Sequence, residues 1–197
     1  MRKILTFAMM LCIGSAMAQE ETLINKISNL GFYVSPNVQF GSVAGEGAGI
    51  FNLKGALTIQ DNFAIGGMYS FTFNEFTPSV EITPNTYLDM QFGGLLLEYT
   101  LNPNKLVHFT FPLAIGAGEV QTDWKDDFGS DNYDEFSEES FFFVEPGAML
   151  EINVLPNVRF NLGATYRIIP GNMDYRGLNA GDINGFTGSA GLKFGIF

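Results

Sequence analysis

Two neighbouring stretches near the C-terminus constrain the fold most. From Phe142 to Val154 the even positions read Phe, Val, Pro, Ala, Leu, Ile, Val, while the odd positions include Glu145, Gly147, Glu151 and Asn153. After a Leu-Pro-Asn turn, the even positions from Val158 to Ile168 are again apolar or aromatic. Their odd partners are Arg159, Asn161, Gly163, Thr165 and Arg167. Side chains of a strand alternate between two faces, so each stretch has one wholly apolar face and one polar, partly charged face. Helical periodicity cannot produce this pattern. Two such strands joined by a tight turn, followed by a long Gly/Asn/Asp-rich connection and a last strand, are the signature of a membrane-spanning β-barrel.

The same grammar runs through the chain. Strands are expected over 31–42, 47–59, 63–73, 86–100, 107–120, 142–154, 158–168 and 183–197. Pro36 removes one ladder donor and is expected at a bulge. The apolar positions of the fourth strand switch from Leu88, Met90 and Phe92 to Leu95, Leu97 and Tyr99. A bulge is therefore expected at Gly93-Gly94, with Leu88, Met90 and Phe92 outward and Asp89, Gln91 and Glu98 sharing the inner face. The fold class expected is all-β: an eight-stranded antiparallel up-and-down transmembrane β-barrel. Connections after strands two, four and six are tight, those after three, five and seven long. Closure leaves no unpaired edge in lipid, where a bare backbone group is costly.

The first eighteen residues read as a secretory signal: Arg2 and Lys3, an apolar run from Ile4 to Ile13, then Ala16-Met17-Ala18. That run is too short to cross a hydrocarbon core of about 30 Å. Bulky Leu11 before Cys12 argues against a lipid anchor. Residues 19–30 form an N-terminal arm and 31–197 the barrel. Cys12 is the only cysteine and leaves with the signal, so the processed chain has no thiolate or disulfide. The formal charge of -11 becomes about -13 on losing Arg2 and Lys3, which excludes nucleic acid as a natural partner.

With strand faces assigned this way, Lys54, Arg159, Arg167 and Lys193 meet Asp89, Glu98, Glu145 and Glu151 on the inner wall. An eight-stranded barrel has room only for its own side chains, so these charges must pair. The expected interior is a plugged, salt-bridged core. A secreted lipocalin-like barrel would reverse the faces, with the apolar rows inside around a ligand and the charges outside.

His108 is expected inward near the periplasmic end as a hydrogen-bonded structural group, since no Ser/His/Asp grouping accompanies it. Phosphate loops, zinc spacings and dinucleotide fingerprints are missing from the sequence. The connection 121–140 carries eight carboxylates, one lysine and four aromatics. Its bland reading is a solvated surface loop. Its sharper reading is a weak cation site, with Asp123, Asp126, Asp127, Asp131, Asp134 and Glu135 offering hard oxygen ligands suited to calcium.

Several short runs carry a family resemblance. They include Asn62-Phe63-Ala64-Ile65-Gly66-Gly67, Leu97-Glu98-Tyr99 with Val107-His108-Phe109, and Ile115-Gly116-Ala117-Gly118. Glu145-Pro146-Gly147-Ala148, Asn161-Leu162-Gly163-Ala164-Thr165-Tyr166-Arg167 and the closing Leu192-Lys193-Phe194-Gly195-Ile196-Phe197 complete the set. In these the chain resembles small outer-membrane barrels of the OmpA/OmpX-like class and, more closely, a family of exported Bacteroidetes barrels. The resemblance implies the outer membrane of a Gram-negative bacterium, contact with its lipid, escort by periplasmic chaperones and insertion by the barrel-assembly machinery. It implies no activity and no cofactor. Phe197 matches the terminal aromatic of the assembly signal, but it shares a face with Lys193 and Gly195 while the apolar row runs through Phe194 and Ile196. The function expected is therefore non-enzymatic: an envelope barrel whose acidic outer loops make surface contacts. A small-ligand, cation-binding or narrow transport module is the alternative.

Overall fold

Eight strands form the wall: β1 (Leu30–Val43), β2 (Glu46–Ile59), β3 (Phe63–Thr72), β4 (Thr86–Leu101), β5 (Val107–Lys125), β6 (Glu139–Leu155), β7 (Val158–Arg167) and β8 (Gly185–Ile196). The computed structural model describes residues 30–74, 86–125, 131–132, 139–171 and 173–197. Each strand pairs antiparallel with its sequence neighbours, and β1 also pairs with β8, from Phe32 opposite Ile196 to Gly41 opposite Thr187. The sheet is thus closed. The signal and N-terminal arm, 1–18 and 19–30, lie outside the described residues apart from Leu30, which opens β1.

The faces decide between membrane and soluble orientation. Phe109 and Leu162 are 50% and 52% exposed, whereas Glu145 and Arg159 are 3% and 7% exposed. Phe32, Leu57, Ile65, Leu97, Phe111 and Phe194 continue the outward apolar band around the wall. Water would not tolerate so large a contiguous patch, and the inward charges reverse what a lipocalin-like barrel needs.

β4 corrects the sequence expectation. Its pairing runs unbroken from Tyr99 to Gln91 against β3 and from Leu101 to Thr86 against β5, with no bulge at Gly93-Gly94. Even positions point inward throughout. Met90 and Phe92 are 0% and 1% exposed and Leu88 is buried, while Asp89 and Gln91 stand on the outer side. The wall's ladder breaks register instead near the end of β6, between Asn153 and Leu155. Pro36 also needs no bulge, because it pairs in register with Leu53. Beside it the Ser35 hydroxyl donates to the Leu192 carbonyl at 2.9 Å, a side-chain bond where the proline has no N–H to give.

Two connections differ from expectation. β5 continues to Lys125, so the long acidic loop begins later, and the pairing of Trp124 and Lys125 with Asn132 and Asp131 folds the chain back. The last connection is ordered into two-residue strands, Asp174–Tyr175 and Leu178–Asn179, and a helical turn α1, Ala180–Ile183. A capping box between Asn179 and Asp182 fixes α1. Ile169, Met173, Tyr175, Leu178 and Ile183 are buried in the same cluster as Met90, Phe92, Phe141 and Phe143. This connection is a cap over the long-loop end of the lumen. The Asp182 carbonyl ties it to the β1–β2 turn by accepting from the Ala44 N–H at 2.6 Å.

Close strand approach depends on paired glycines. Gly94 faces Gly116 across β4 and β5, and a Cβ on either would lie 2.6 Å from the other's Cα. Gly116→Val is expected to destabilise the barrel by about 1–3 kcal/mol, as overpacked cores are. Urea titration in lipid vesicles, followed by the loss of the compact band on unheated gels, measures it.

Candidate functional site

The lumen carries the chemistry of this protein, and it has two layers. At the tight-turn end, groups from three other strands converge on the Glu151 carboxylate of β6. Lys193 of β8 donates from Nζ to Glu151 Oε1 of β6 at 2.6 Å and to Glu98 Oε2 of β4 at 2.9 Å. His108 Nε2 of β5 lies 3.2 Å from the other Glu151 oxygen, and Arg159 Nη1 of β7 lies 3.8 Å from it. His108 Nδ1 is 3.1 Å from the Lys105 carbonyl. Lys54 of β2 is buried and interacts electrostatically with Glu98, Lys193, Glu145 and Glu151. Alternation at period two put every one of these groups on the inner face, and closure then brought them together across the barrel.

Phe197 closes this layer from below. Its ring stacks on Tyr33 with centroids 6.5 Å apart, and the Arg159 guanidinium carbon sits 3.6 Å above the ring centroid. The terminal residue therefore turns into the mouth, in step with Lys193 and Gly195, while Ile196 faces outward.

Towards the long-loop end the β4 and β6 side of the lumen is largely apolar, with one ion pair set into it. Arg167 Nε donates to Glu145 Oε2 at 3.0 Å, and its guanidinium carbon lies 4.2 Å from the Phe92 ring centroid. Phe92 meets Phe143 edge-on with centroids 5.2 Å apart. Stacking over an aromatic face adds a cation–π contact to a charge that burial would otherwise penalise.

Of the eight residues expected in the lumenal network, Lys54, Glu98, Glu145, Glu151, Arg159, Arg167 and Lys193 are buried inside. They form two groups, not one. Asp89 is a correction: it lies on the outer side of β4, accepting from the Thr72 hydroxyl at 2.6 Å. Gln91, also expected inside, joins an outward chain in which the Tyr69 hydroxyl donates to Gln91 at 2.5 Å and Gln91 donates to Glu119. His108 and the stacked Phe197 were not assigned to the network beforehand. The position of His108 opposite Glu151 across β5 and β6 was the available signal.

The suggested calcium ligands lie largely beyond description. Asp126, Asp127, Asp134 and Glu135 are outside the described residues, and for Asp123 and Asp131 only backbone pairing is described. Among the described residues no group of three or more His, Cys, Asp or Glu could hold a metal ion. The described ring nitrogens of His108 face only a carbonyl and a carboxylate, an arrangement that orients a charge and does not activate a nucleophile.

Closed wall, apolar exterior and paired interior define the class: an eight-stranded antiparallel up-and-down β-barrel of the kind outer-membrane proteins form. Solved structures share it. Neisserial surface protein A (NspA) superposes with a TM-score of 0.60 at 15% identity, covering 86% of this chain and 99% of that one. A major outer membrane protein from Thermus thermophilus gives 0.56 at 8% identity, covering 85% and 100%. Ail of Yersinia pestis gives 0.52 at 17% identity, covering 85% and 97%. At these identities the likeness is one of fold. No protein-family model matches the chain, and no curated relative matches it.

Breaking the ion layer has a definite expected cost. Lys193→Met leaves Glu98 and Glu151 without their shared ammonium and should destabilise the barrel by about 3–5 kcal/mol, the range for a broken buried pair. Lys193→Met combined with Glu98→Gln should recover part of that loss. Urea midpoints of the refolded variants in vesicles test both.

Proposed function

We propose that this chain is a non-enzymatic integral barrel of a Gram-negative outer membrane, serving envelope structure or surface contacts through the acidic connections at its long-loop end. The observation that carries the reading is the inversion of faces: Phe109 and Leu162 look outward while Glu145 and Arg159 are enclosed. Such a wall is soluble only in lipid. Phe197, Tyr33 and Arg159 stack at one mouth, and Ile169, Met173, Tyr175, Leu178 and Ile183 are buried at the other, which supports a lumen closed to ions. This favours a display scaffold over a narrow transport module.

Charge narrows the partner. One structure of Ail holds the heparin analogue sucrose octasulfate. A chain of net charge -11 is a poor receptor for such a polyanion, and by the same argument for nucleic acid. Cationic partners suit it better, either basic protein surfaces or divalent ions shared with neighbouring anionic lipid.

Delivery by periplasmic chaperones and insertion by the barrel-assembly machinery belong to the same reading. Phe197 faces the lumen once the barrel is closed, yet an assembly signal is read on the unfolded precursor, before that ring has a mouth to enter. Its place in the finished fold is compatible with both roles.

Planar-bilayer recording and gel mobility test the proposal together. The refolded protein should run as a compact band that shifts on boiling, and it should give no stable channels. Steady single-channel conductance would overturn the closed scaffold in favour of transport. A single unshifted band with no vesicle incorporation would remove the membrane reading itself.

A further inference from the structure

The two ends of the barrel differ in charge as well as in packing. Connection 121–140 at the long-loop end holds eight carboxylates. The three tight connections, 60–62, 102–106 and 156–157, hold one carboxylate, Asp61, and one cation, Lys105, and four of their ten residues are asparagine. Asp61 interacts electrostatically with Arg159 of the ion layer. An anion repelled by the outer loops therefore meets no net negative charge in these turns, where Lys105 is exposed.

Lys105 stands at a groove. Asn62 of the β2–β3 turn, Tyr99 and Leu101 at the end of β4, and Asn102, Asn104 and Lys105 of the β4–β5 turn line a space of about 410 Å³. Both of its walls are fixed from behind. Asn153 Nδ2 of β6 donates to the Pro103 and Lys105 carbonyls at 3.2 and 2.9 Å, and His108 Nδ1 lies 3.1 Å from the second of them. On the other wall Asn62 Nδ2 donates to the Thr100 carbonyl at 2.8 Å, while the Asn62 carbonyl accepts from the Thr100 N–H at 2.6 Å. The Tyr99 ring rests against Phe63 with centroids 5.0 Å apart. A groove held in shape this way loses little freedom when it is filled.

Its lining specifies an amphiphile. Tyr99 and Leu101 are exposed members of the outward apolar band, which Leu106 and Val107 carry on to the rim. A water-soluble ion would leave that side uncovered. The other side offers one ammonium, three side-chain amides and no carboxylate. The ammonium suits a phosphodiester, and amides both donate to and accept from hydroxyls. A headgroup bearing its own ammonium would meet Lys105 and find no counter-charge in the lining. Tight turns of such barrels lie on the periplasmic side. We propose that this groove binds a phosphatidylglycerol-type phospholipid of the periplasmic leaflet, its phosphate at Lys105, its headgroup hydroxyls among the asparagines and an acyl chain along Tyr99 and Leu101. The site rests on the outer-membrane reading and is independent of whether the lumen conducts.

Native mass spectrometry of the full chain released from nanodiscs of equal phosphatidylcholine and phosphatidylglycerol tests it. The parent should retain phosphatidylglycerol in preference by about fivefold, the upper range for an exposed ion pair, and Lys105→Gln should lose the preference. Asn153→Ala keeps the lysine but unpins its turn, so it should lose most of the preference as well. No preference in the parent would overturn the proposal. So would a preference that survives Asn153→Ala, since only diffuse attraction to a surface charge would then remain. A measurement on the parent alone covers a variant that does not fold. Phosphatidylglycerol spin-labelled near the top of one acyl chain should broaden the side-chain amides of Asn62 and Asn104 more than that of Asn157, exposed on the β6–β7 turn at the same end. Equal broadening would overturn the site. Protein that inserts and shows neither effect refutes the site alone, whereas protein that does not insert refutes the membrane reading with it.

Discussion

Backbone hydrogen bonding in hydrocarbon is the constraint from which the rest follows. No water is present there to satisfy a free N–H or C=O, so a strand can cross only if both of its edges are paired. β1 meets β8 for this reason, and the sheet closes at eight. Closure then fixes the interior volume, and a fixed narrow interior leaves each inward charge no solvent. Lys193 held between Glu98 and Glu151 is a consequence of closure as much as a support for it. Even Pro36, which cannot complete the ladder, sits beside a serine hydroxyl that bonds a carbonyl of the facing strand.

Much of this was legible from alternation alone, and its failure on β4 is instructive. For β6, β7 and β8 the apolar row faces lipid and the polar row faces inward, so reading faces from polarity works. On the outer half of β4 the same rule inverts them. There Asp89 and Gln91 sit on the outer side among Tyr69, Thr72 and Glu119, while Leu88, Met90 and Phe92 pack under the cap. Polarity alternation reports which face is wet, and wetness coincides with the inside only within the apolar band. Where the wall extends past that band and a cap dries the lumen, the faces exchange chemistry with no change in backbone parity. Unbroken pairing through Gly93-Gly94 was invisible to a reading that used polarity as its proxy.

The cap was illegible for a related reason. Residues 170–182 are rich in Gly, Asn and Asp and read as a long loop. The signal was sparse: Ile169, Met173, Tyr175, Leu178 and Ile183 recur without strand or helix period because the segment is a short hairpin running into one helical turn. Irregular apolar spacing in a polar connection marks a segment that packs on something, and only the folded barrel shows on what. The Asn179/Asp182 capping box, by contrast, follows an ordinary sequence rule and fixes a single turn of helix where packing needs one.

Closing one end with ions and the other with apolar packing has different mechanical consequences. The ion layer is built from the wall itself: β4, β5, β6, β7 and β8 each contribute a group, so it ties facing strands across the lumen and cannot leave without opening the barrel. The cap is a single connection held by burial and a few bonds, among them Asp182 with Ala44 and Asn184 with Ile169. Its apolar contacts are non-directional and individually weak, so partial departure costs in proportion to the area exposed. Any conformational freedom this molecule has should therefore lie at the long-loop end, beside its acidic connections, while the tight-turn end stays fixed. The asymmetry between the two ends arises from which layer of the lumen received charges.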